Sequence, residues 1–450
     1  MRIRAAQQAV PRVTGADESY LMAEELLGMS APIQYLWVFD DDPGPEAVDG
    51  LRHALATGSL HRAVRRTRIP VARHRWVAST ETPERTSAET IEDADIGTWA
   101  DRCLRAADLR PVDGRGWQVD SAITDTGSRV VSLLVSHMIT DGQGLYRALA
   151  EAHSGRSRPL PAAETARGGR ARMADLVDAA RQLAAAARSI RILAGTAIRN
   201  RGGAQGSAMR PPTPTTSPND DVGSDTTLAI VDIDRQVWHD RAREHQGTAN
   251  GLFTALLGGI VQRSGFPVGE ELRVCIAVDN RADELDDRAN ASGGVWIRVS
   301  EPIEPGMALD GIRAMSKQAF VAYAESGSDQ AADNLQPVVR LLPRRVVARM
   351  MQTIPGPDTT VSNLGVAPPE VLELGGVTAS RFGIRAIMQG VSAQQRRRQG
   401  PAIAAWAVEY GDRITLTFFG VDPDHFGDTE LLRKMVGNEL SAWRLEHRFW

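Results

Sequence analysis

Residues 129 to 146 read Arg-Val-Val-Ser-Leu-Leu-Val-Ser-His-Met-Ile-Thr-Asp-Gly-Gln-Gly-Leu-Tyr. The apolar run predicts a buried strand, and Gln143 to Leu149 show the spacing of a helix. His137 therefore stands where the strand ends, and Asp141 and Gly142 follow at the next turn. A histidine titrates near neutral pH, so here it can take a proton from a hydroxyl or amine that attacks a carbonyl. The pattern favours acyl transfer.

Two other interpretations of the same residues stay open at this point. His137 can be a histidine at the edge of the core that bonds to backbone, with Asp141 as the N-cap of the following helix. The same two side chains can also be metal ligands, but no second pair of ligands stands at a recognisable spacing. We therefore expect no metal.

The composition is that of a folded, soluble protein. A chain of 450 residues is long enough for two or more domains. Hydrophobic residues make up 42% and charged residues 24% of it, and the net charge of −4 argues against a nucleic-acid partner. The chain has two cysteines, no secretory segment and no apolar run of membrane-spanning length. We expect a cytoplasmic protein without a transmembrane segment.

Helical and strand-like patterns alternate in both halves of the chain, which predicts a mixed α/β architecture. Residues 200–226 are dense in proline, glycine, serine and threonine and predict a linker. We thus expect an N-terminal lobe over 1–199 that carries the His137 motif, a linker or crossover over 200–226, and a C-terminal lobe over 227–450. Ligand sites favour the interface between such units.

A long amphipathic helix is predicted over Met173 to Ile198. Its apolar side chains recur at helical spacing beside several arginines, at Leu176, Ala180, Leu183, Ala187, Ile190 and Leu193. The pattern favours a helix that packs this side on the protein's own core, and peripheral contact with a membrane is the alternative.

Motifs of covalent catalysis are missing from the sequence. It has no Gly-x-Ser-x-Gly elbow, no phosphate-binding loop, and no cysteine beside a catalytic histidine signature. A single base suffices if the acyl group arrives as a thioester, and the oxyanion then needs a hydrogen-bond donor. Ser362 and Asn363, at the end of a predicted strand, are candidates, although Ser-Asn before glycine is also ordinary turn chemistry.

The segment Ser136-His-Met-Ile-Thr-Asp-Gly142 resembles the His-His-x-x-x-Asp-Gly signature of the chloramphenicol acetyltransferase-like superfamily. This superfamily holds condensation domains, polyketide-associated acyltransferases and wax ester synthase/diacylglycerol acyltransferases. An apolar strand that leads to Arg281, and the turn at Ala289-Asn-Ala-Ser-Gly-Gly294 into a further strand, resemble its later motif. The similarity covers most of the chain.

The resemblance implies two lobes, each a mixed sheet with packed helices, and an active-site tunnel between them. It implies that His137 is the general base, that Asp141 is structural and held by Arg281, and that Gly142 lets the helix approach the substrates. The remaining candidates, for the oxyanion or the tunnel wall, are Ser362, Asn363 and Ser136, which replaces the first histidine of the signature.

The implied reaction moves an acyl group from acyl-CoA or a phosphopantetheinyl thioester of an acyl carrier protein to a hydroxyl or amine. The acceptor is a small molecule or a lipid, and no permanently bound cofactor is expected. One alternative is a condensation-type enzyme of a natural-product pathway that forms an amide or ester, cyclises or rearranges. Another is a non-catalytic relative that binds an acyl chain or a partner.

The departures from the signature concern one branch. Asn250-Gly251 stands where wax ester synthases have Asn-Asp, and Gly116-Trp117-Gln118 stands where they have Pro-Leu-Trp-Glu. These differences argue against wax ester or triacylglycerol synthesis.

Overall fold

Buried strands form the centre of each half of the protein. The computed structural model describes residues 10–83, 89–156, 158–164, 168–199, 226–283, 286–325, 336–353 and 356–450. The predicted linker at 200–226 lies outside these residues except for its last position.

The helices and strands follow one another as the alternating pattern predicts. The strands are β1 Pro32–Phe39, β2 Arg62–Arg65, β3 Arg75–Ala78, β4 Glu89–Ile91, β5 Trp117–Thr124, β6 Arg129–Ser136, β7 Thr227–Asp234, β8 Leu272–Asp279, β9 Ser292–Val299, β10 Thr359–Val366, β11 Glu373–Leu374, β12 Val377–Thr378, β13 Arg381–Ala386, β14 Ile403–Tyr410, β15 Arg413–Gly420 and β16 His447–Phe449. The α-helices are Gly15–Leu27, Pro45–Ala56, Ile96–Ala106, Gly142–Ser154, Gly169–Arg199, Arg235–Glu244, Ala249–Arg263, Asp310–Glu325, Arg344–Met351, Pro369–Leu372, Ala393–Gln399, Pro423–Phe426 and Thr429–Ala442, with short 3-10 turns at Asp93–Asp95 and Pro111–Asp113.

The first sheet has the order β13-β1-β6-β5-β4. β6 lies between β1 and β5 and runs antiparallel to both. Every residue of β1 and β6 is buried, because the sheet is covered on both faces. This is why the strand before His137 is an almost continuous apolar run rather than an alternating one.

The second sheet has the order β16-β7-β15-β14-β10-β8-β9, in which β10 is parallel to both β8 and β14. The helix Ala249–Arg263, buried along most of its length, packs in the core of this lobe. The helix Ile96–Ala106 lies between the sheets, since Trp99 shares a cluster with Leu36 of β1 and Ile230 of β7. The predicted α/β fold, two sheets each packed with helices, is confirmed.

One strand crosses from the second half of the chain to the first sheet. β13 pairs with β1, and Ile33 lies opposite Ala386. The division into 1–199 and 227–450 stays a prediction, with the added finding that residues 381–386 complete the edge of the N-terminal sheet.

Candidate active site

His137 follows directly after β6, and its backbone is fixed to the segment before β1. Its N–H donates to the carbonyl of Ala31 at 2.9 Å. The imidazole is partly buried and stacks on the ring of Tyr20, with 4.4 Å between ring centroids and 19° between planes. Burial lowers the pKa of His137 below its ordinary value, although the nearby Asp141 carboxylate opposes this. Burial therefore favours the neutral form of the ring.

Asn290, in the loop between β8 and β9, holds the Nδ1 edge of this ring. Its Oδ1 lies 3.0 Å from Nδ1 of His137. Its Nδ2 faces three acceptors, the carbonyl oxygens of His137 (2.8 Å) and Met138 (3.2 Å) and Oδ1 of Asp17 (3.0 Å). Only the NH2 group of Asn290 can donate to three acceptors, so its Oδ1 is the atom that faces the imidazole. Oδ1 therefore accepts a hydrogen bond from the Nδ1–H group of His137. The neutral ring then carries its lone pair on Nε2, to which no side chain or backbone group of the described residues donates.

Asp17 holds Asn290 in turn. Its buried carboxylate accepts from the backbone N–H of Asn290 at 3.1 Å and from the indole of Trp76 at 3.2 Å. The same carboxylate forms a capping box with Thr14 at the start of the helix Gly15–Leu27. Three segments far apart in the chain thus converge on His137.

Sequence reasoning did not single out Asp17 or Asn290 as site residues. The spacing Thr14-x-x-Asp17 is a recognisable capping pattern, but it indicates only a helix start. Nothing local shows that this carboxylate also reaches Asn290, because the two residues are 273 positions apart.

Asp141 and Arg281 meet in the interior. Arg281 Nη1 lies 2.8 Å from Oδ1 of Asp141, and both side chains are almost fully buried. The carboxylate also accepts from the N–H groups of Gly144 (2.8 Å) and Ala291 (2.7 Å) and from the hydroxyl of Ser292 (3.0 Å). Burial alone would raise the pKa of Asp141, but Arg281 and these donors outweigh it and hold the pKa below its ordinary value.

Asp141 is also the N-cap of the helix Gly142–Ser154, as the simpler interpretation of the sequence expected. Its two roles agree, because one carboxylate oxygen faces the helix start and the other faces the β8–β9 loop. The ion pair therefore fixes the turn that follows His137 against the second lobe.

Gly142 is closely approached by other parts of the protein. A Cβ on Gly142 would lie 2.4 Å from Cδ2 of Leu364 in β10. The carbonyl of Gly142 accepts from the hydroxyl of Tyr35 at 2.6 Å. The helix start thus approaches Leu364 and Tyr35, and an approach to bound substrates stays a prediction.

The substitution Gly142→Ala is expected to destabilise the protein by about 1–3 kcal/mol, because Leu364 must move to admit a methyl group. Chemical denaturation measures this loss, and Leu364→Ala in the same chain should recover part of it. Gly50→Ala is the matched control, since no atom lies within 4 Å of its Cβ position in the helix Pro45–Ala56. An equal loss for both substitutions would contradict the argument.

The oxyanion candidates lie on two different elements. Ser136 is buried at the end of β6, and its hydroxyl accepts from the N–H of Met138 at 3.3 Å. Asn363 on β10 donates to Asn250 at 2.6 Å and accepts from the N–H of Gly365 at 2.9 Å, as in turn chemistry. Ser362 precedes it on the strand. The hydrogen bonds of the described residues link none of the three to His137, so their catalytic role stays a prediction.

Two cavities lie against the elements that hold His137, although His137 itself lines neither of them. The first, of about 440 Å3, is lined by methionines that include Met22, two residues after Tyr20, and Met29, two residues before Ala31. The second, of about 490 Å3, has Thr140 and Gly144 in its wall. Several arginines line it together with acidic residues, namely Arg62, Arg147, Arg158, Arg281 and Arg288 with Glu151, Asp286 and Asp287. A single tunnel that joins the two cavities stays a prediction.

The described residues contain no cluster of three or more histidine, cysteine, aspartate or glutamate side chains placed to hold a metal. Within the same residues, no helix is both long and apolar enough to cross a bilayer.

Known structures resemble this chain over almost its whole length. The first condensation domain of the CDA synthetase is 15% identical, with a TM-score of 0.58 over 97% of this chain and 96% of that one. The condensation domain of the Monacolin K polyketide synthase MokA is 13% identical, with a TM-score of 0.55 over 96% of both chains. A variant of the starter condensation domain of rhizomide synthetase RzmA, in complex with C8-CoA and Leu-SNAC, is 15% identical, with a TM-score of 0.52 over 97% of this chain and 94% of that one.

No protein-family model matches the chain, and no curated protein matches it either. The structural similarity shows the fold. The chain has the fold of condensation domains.

Proposed function

We propose that the protein is an acyltransferase that moves an acyl group from a thioester to a hydroxyl or amine, with His137 as general base. The observation that carries this proposal is the contact between Asn290 and Nδ1 of His137, which leaves Nε2 as the basic nitrogen. A neutral imidazole with a fixed tautomer is ready to accept a proton. The condensation-domain fold supports the same class of reaction.

The proposed step is a direct transfer. Nε2 of His137 removes the proton of the acceptor as its oxygen or nitrogen attacks the thioester carbonyl. The tetrahedral intermediate collapses, the carbon–sulfur bond breaks, and the imidazolium returns the proton to the leaving thiolate. The nearby negative charge of Asp141 favours the imidazolium form while that proton is held.

The two cavities suit the two ends of a thioester. The methionine-lined cavity offers flexible apolar side chains to an acyl chain or an apolar acceptor. The arginine-lined cavity suits the phosphates of coenzyme A or of a phosphopantetheinyl group. We therefore propose acyl-CoA or a carrier-bound thioester as donor and a small molecule or lipid as acceptor, with Ser362 and Asn363 as candidate oxyanion donors.

A second candidate is condensation in a natural-product pathway, which forms an amide or ester between two carrier-bound groups. The fold of the similar structures favours it, since all three are condensation domains. Both candidates use the same base and differ in what carries the acceptor.

The test is incubation with a panel of acyl-CoA and acyl-pantetheine donors, with and without amine and alcohol acceptors. Released thiol and the mass of the product are measured for the native protein and for His137→Ala. Thiol release that needs an acceptor and is lost in the variant supports acyl transfer. Turnover only with a carrier-bound acceptor supports condensation, and ligand binding without any turnover supports a non-catalytic relative.

Asn290→Ala is expected to lower kcat/KM by about 10–100-fold, since the other ring nitrogen of an oriented histidine is then unsupported. The ring loses its fixed tautomer, so nitrogen NMR of the His137 imidazole should show protonation at Nδ1 in the native protein and a mixture of tautomers in the variant. Asn280→Ala is the control, because Asn280 lies in the same loop but its side chain donates to the hydroxyl of Tyr323. An unchanged His137 spectrum in Asn290→Ala would contradict the assignment.

A further inference from the structure

The helix Gly169–Arg199 packs on the protein through a side that carries two aspartates, Ser189 and several alanines. Asp175 accepts from Nη2 of Arg75 at 2.7 Å and from Nη1 of Arg12 at 2.6 Å. One turn on, Asp178 forms an ion pair with Arg73 at 2.7 Å. Both aspartates are buried. The expectation that the apolar side of this helix packs on the core is therefore wrong.

The apolar side chains of this helix point to solvent instead. We call the following set the outward stripe: Met173 (61% exposed), Leu176 (50%), Val177 (44%), Leu183 (50%) and Ile190 (50%). At 100° per residue they fall on one side of the helix, opposite Asp175 and Asp178. The stripe runs over about 25 Å, from the rise of 1.5 Å per residue. A contiguous exposed apolar surface of this length indicates an interaction site.

The exposed charges on this helix are all positive over residues 169–191. From residue 169 to residue 191 the helix has only two acidic side chains, the buried Asp175 and Asp178. The arginines of the same stretch are all exposed, at Arg170, Arg172, Arg181, Arg188 and Arg191. On the helical wheel Arg170, Arg181 and Arg188 follow one flank of the stripe. The surface is therefore apolar along its middle and basic at its side.

A neighbouring element contacts the inner side of this helix, the side that carries Asp175 and Asp178. Arg340 donates to Gln182 of the long helix at 2.5 Å, and the exposed Leu341 follows it. The short helix Arg344–Met351 exposes Val346 and Arg345, while Val347 and Met350 line the methionine-lined cavity. The long helix thus contacts, through its inner side, a segment that forms one wall of that cavity.

We propose that this surface binds the headgroup region of an anionic membrane. Apolar side chains flanked by arginines are the features with which a helix lies in the interface of such a bilayer. Pairing with a second copy through the stripe would bring like charges together, because the helix has no exposed acid to meet the arginines. The proposal does not depend on acyl transfer, since it concerns binding alone.

The test is co-sedimentation of the full chain with two kinds of vesicle, phosphatidylcholine alone and phosphatidylcholine with about one third phosphatidylglycerol. We expect binding to the anionic vesicles only, weakened by added salt. The triple variant Leu176→Glu, Leu183→Glu, Ile190→Glu should lower the bound fraction at least about tenfold, because acids replace the apolar contact. Arg172→Gln with Arg181→Gln and Arg188→Gln should also weaken binding and leave the fold intact, since all three are exposed.

Leu431→Glu is the matched control. Leu431 is 42% exposed on the helix Thr429–Ala442, so the control makes the same leucine-to-glutamate change outside the outward stripe. It should bind vesicles as the native chain does. Failure of the native chain to bind anionic vesicles overturns the proposal, as does equal binding by the leucine and isoleucine triple variant. A dimer in light scattering that this variant converts to a monomer, without vesicle binding, assigns the surface to a second copy instead.

Discussion

His137→Ala is expected to lower kcat/KM for acyl transfer by about 100- to 10,000-fold, the range typical of a lost general base. The substituted side chain retains no group that can accept the acceptor's proton. Donor binding should persist, because the two cavities are lined by other residues. Steady-state kinetics with acyl-CoA as donor, alongside a binding titration, measure the two effects separately.

His153→Ala is the control for this substitution, since His153 is exposed near the end of the helix Gly142–Ser154. It should leave kcat/KM unchanged. The pH profile adds a second readout: kcat/KM should rise with pH through a pKa below 6.5 and then level off, because burial lowers the pKa of His137 and its neutral form is the base. Full activity of His137→Ala would exclude the proposed mechanism.

Arg281→Met is expected to destabilise the protein by about 3–5 kcal/mol, because it leaves the buried Asp141 carboxylate without its counter-ion. The remaining donors from Gly144, Ala291 and Ser292 are neutral and compensate only in part. Urea denaturation at neutral pH measures the change. The double variant Asp141→Asn with Arg281→Met should lose less than the sum of the single losses, since the two side chains interact directly.

Arg102→Met is the matched control, because Arg102 and Glu89 form an ion pair whose side chains are 58% and 49% exposed. Such a pair contributes at most about 1 kcal/mol. The pKa of Asp141 is lowered in the folded protein, so the stabilisation by Arg281 is present above the carboxyl's unfolded pKa and is lost as the pH falls through the folded one. A loss at neutral pH no larger than that of Arg102→Met would show that the buried pair is not structural.

The sequence predicted those parts of the site that depend on local pattern. The apolar run before His137 predicts β6, because a central strand is buried on both faces and all eight of its residues are then buried. The N-cap at Asp141 follows from the residue type and the helix after it. The pairing of Asp141 with Arg281 came from family resemblance, since the two are 140 positions apart and no local pattern joins them.

Other features were missed because their signals are not local. β13 reads Arg-Phe-Gly-Ile-Arg-Ala and looks solvent-facing, yet Arg385 is buried and donates to Gln34 at 2.7 Å. The long helix was predicted correctly as a helix, but its apolar periodicity could not say which side faces the protein. Ion pairs with Arg12, Arg73 and Arg75 decide that, and those arginines lie some 100 residues or more earlier in the chain.

The position of β13 has a consequence for how the protein is made. During synthesis the outer edge of β1 has no partner until residue 386 has left the ribosome, by which time most of the chain has emerged. An unpaired apolar strand edge is prone to aggregation, so the first sheet is exposed to that risk over this interval. Synthesis of residues 381–386, rather than of residues 1–199 alone, is the event that places the His137 strand in a sheet with both of its edges formed.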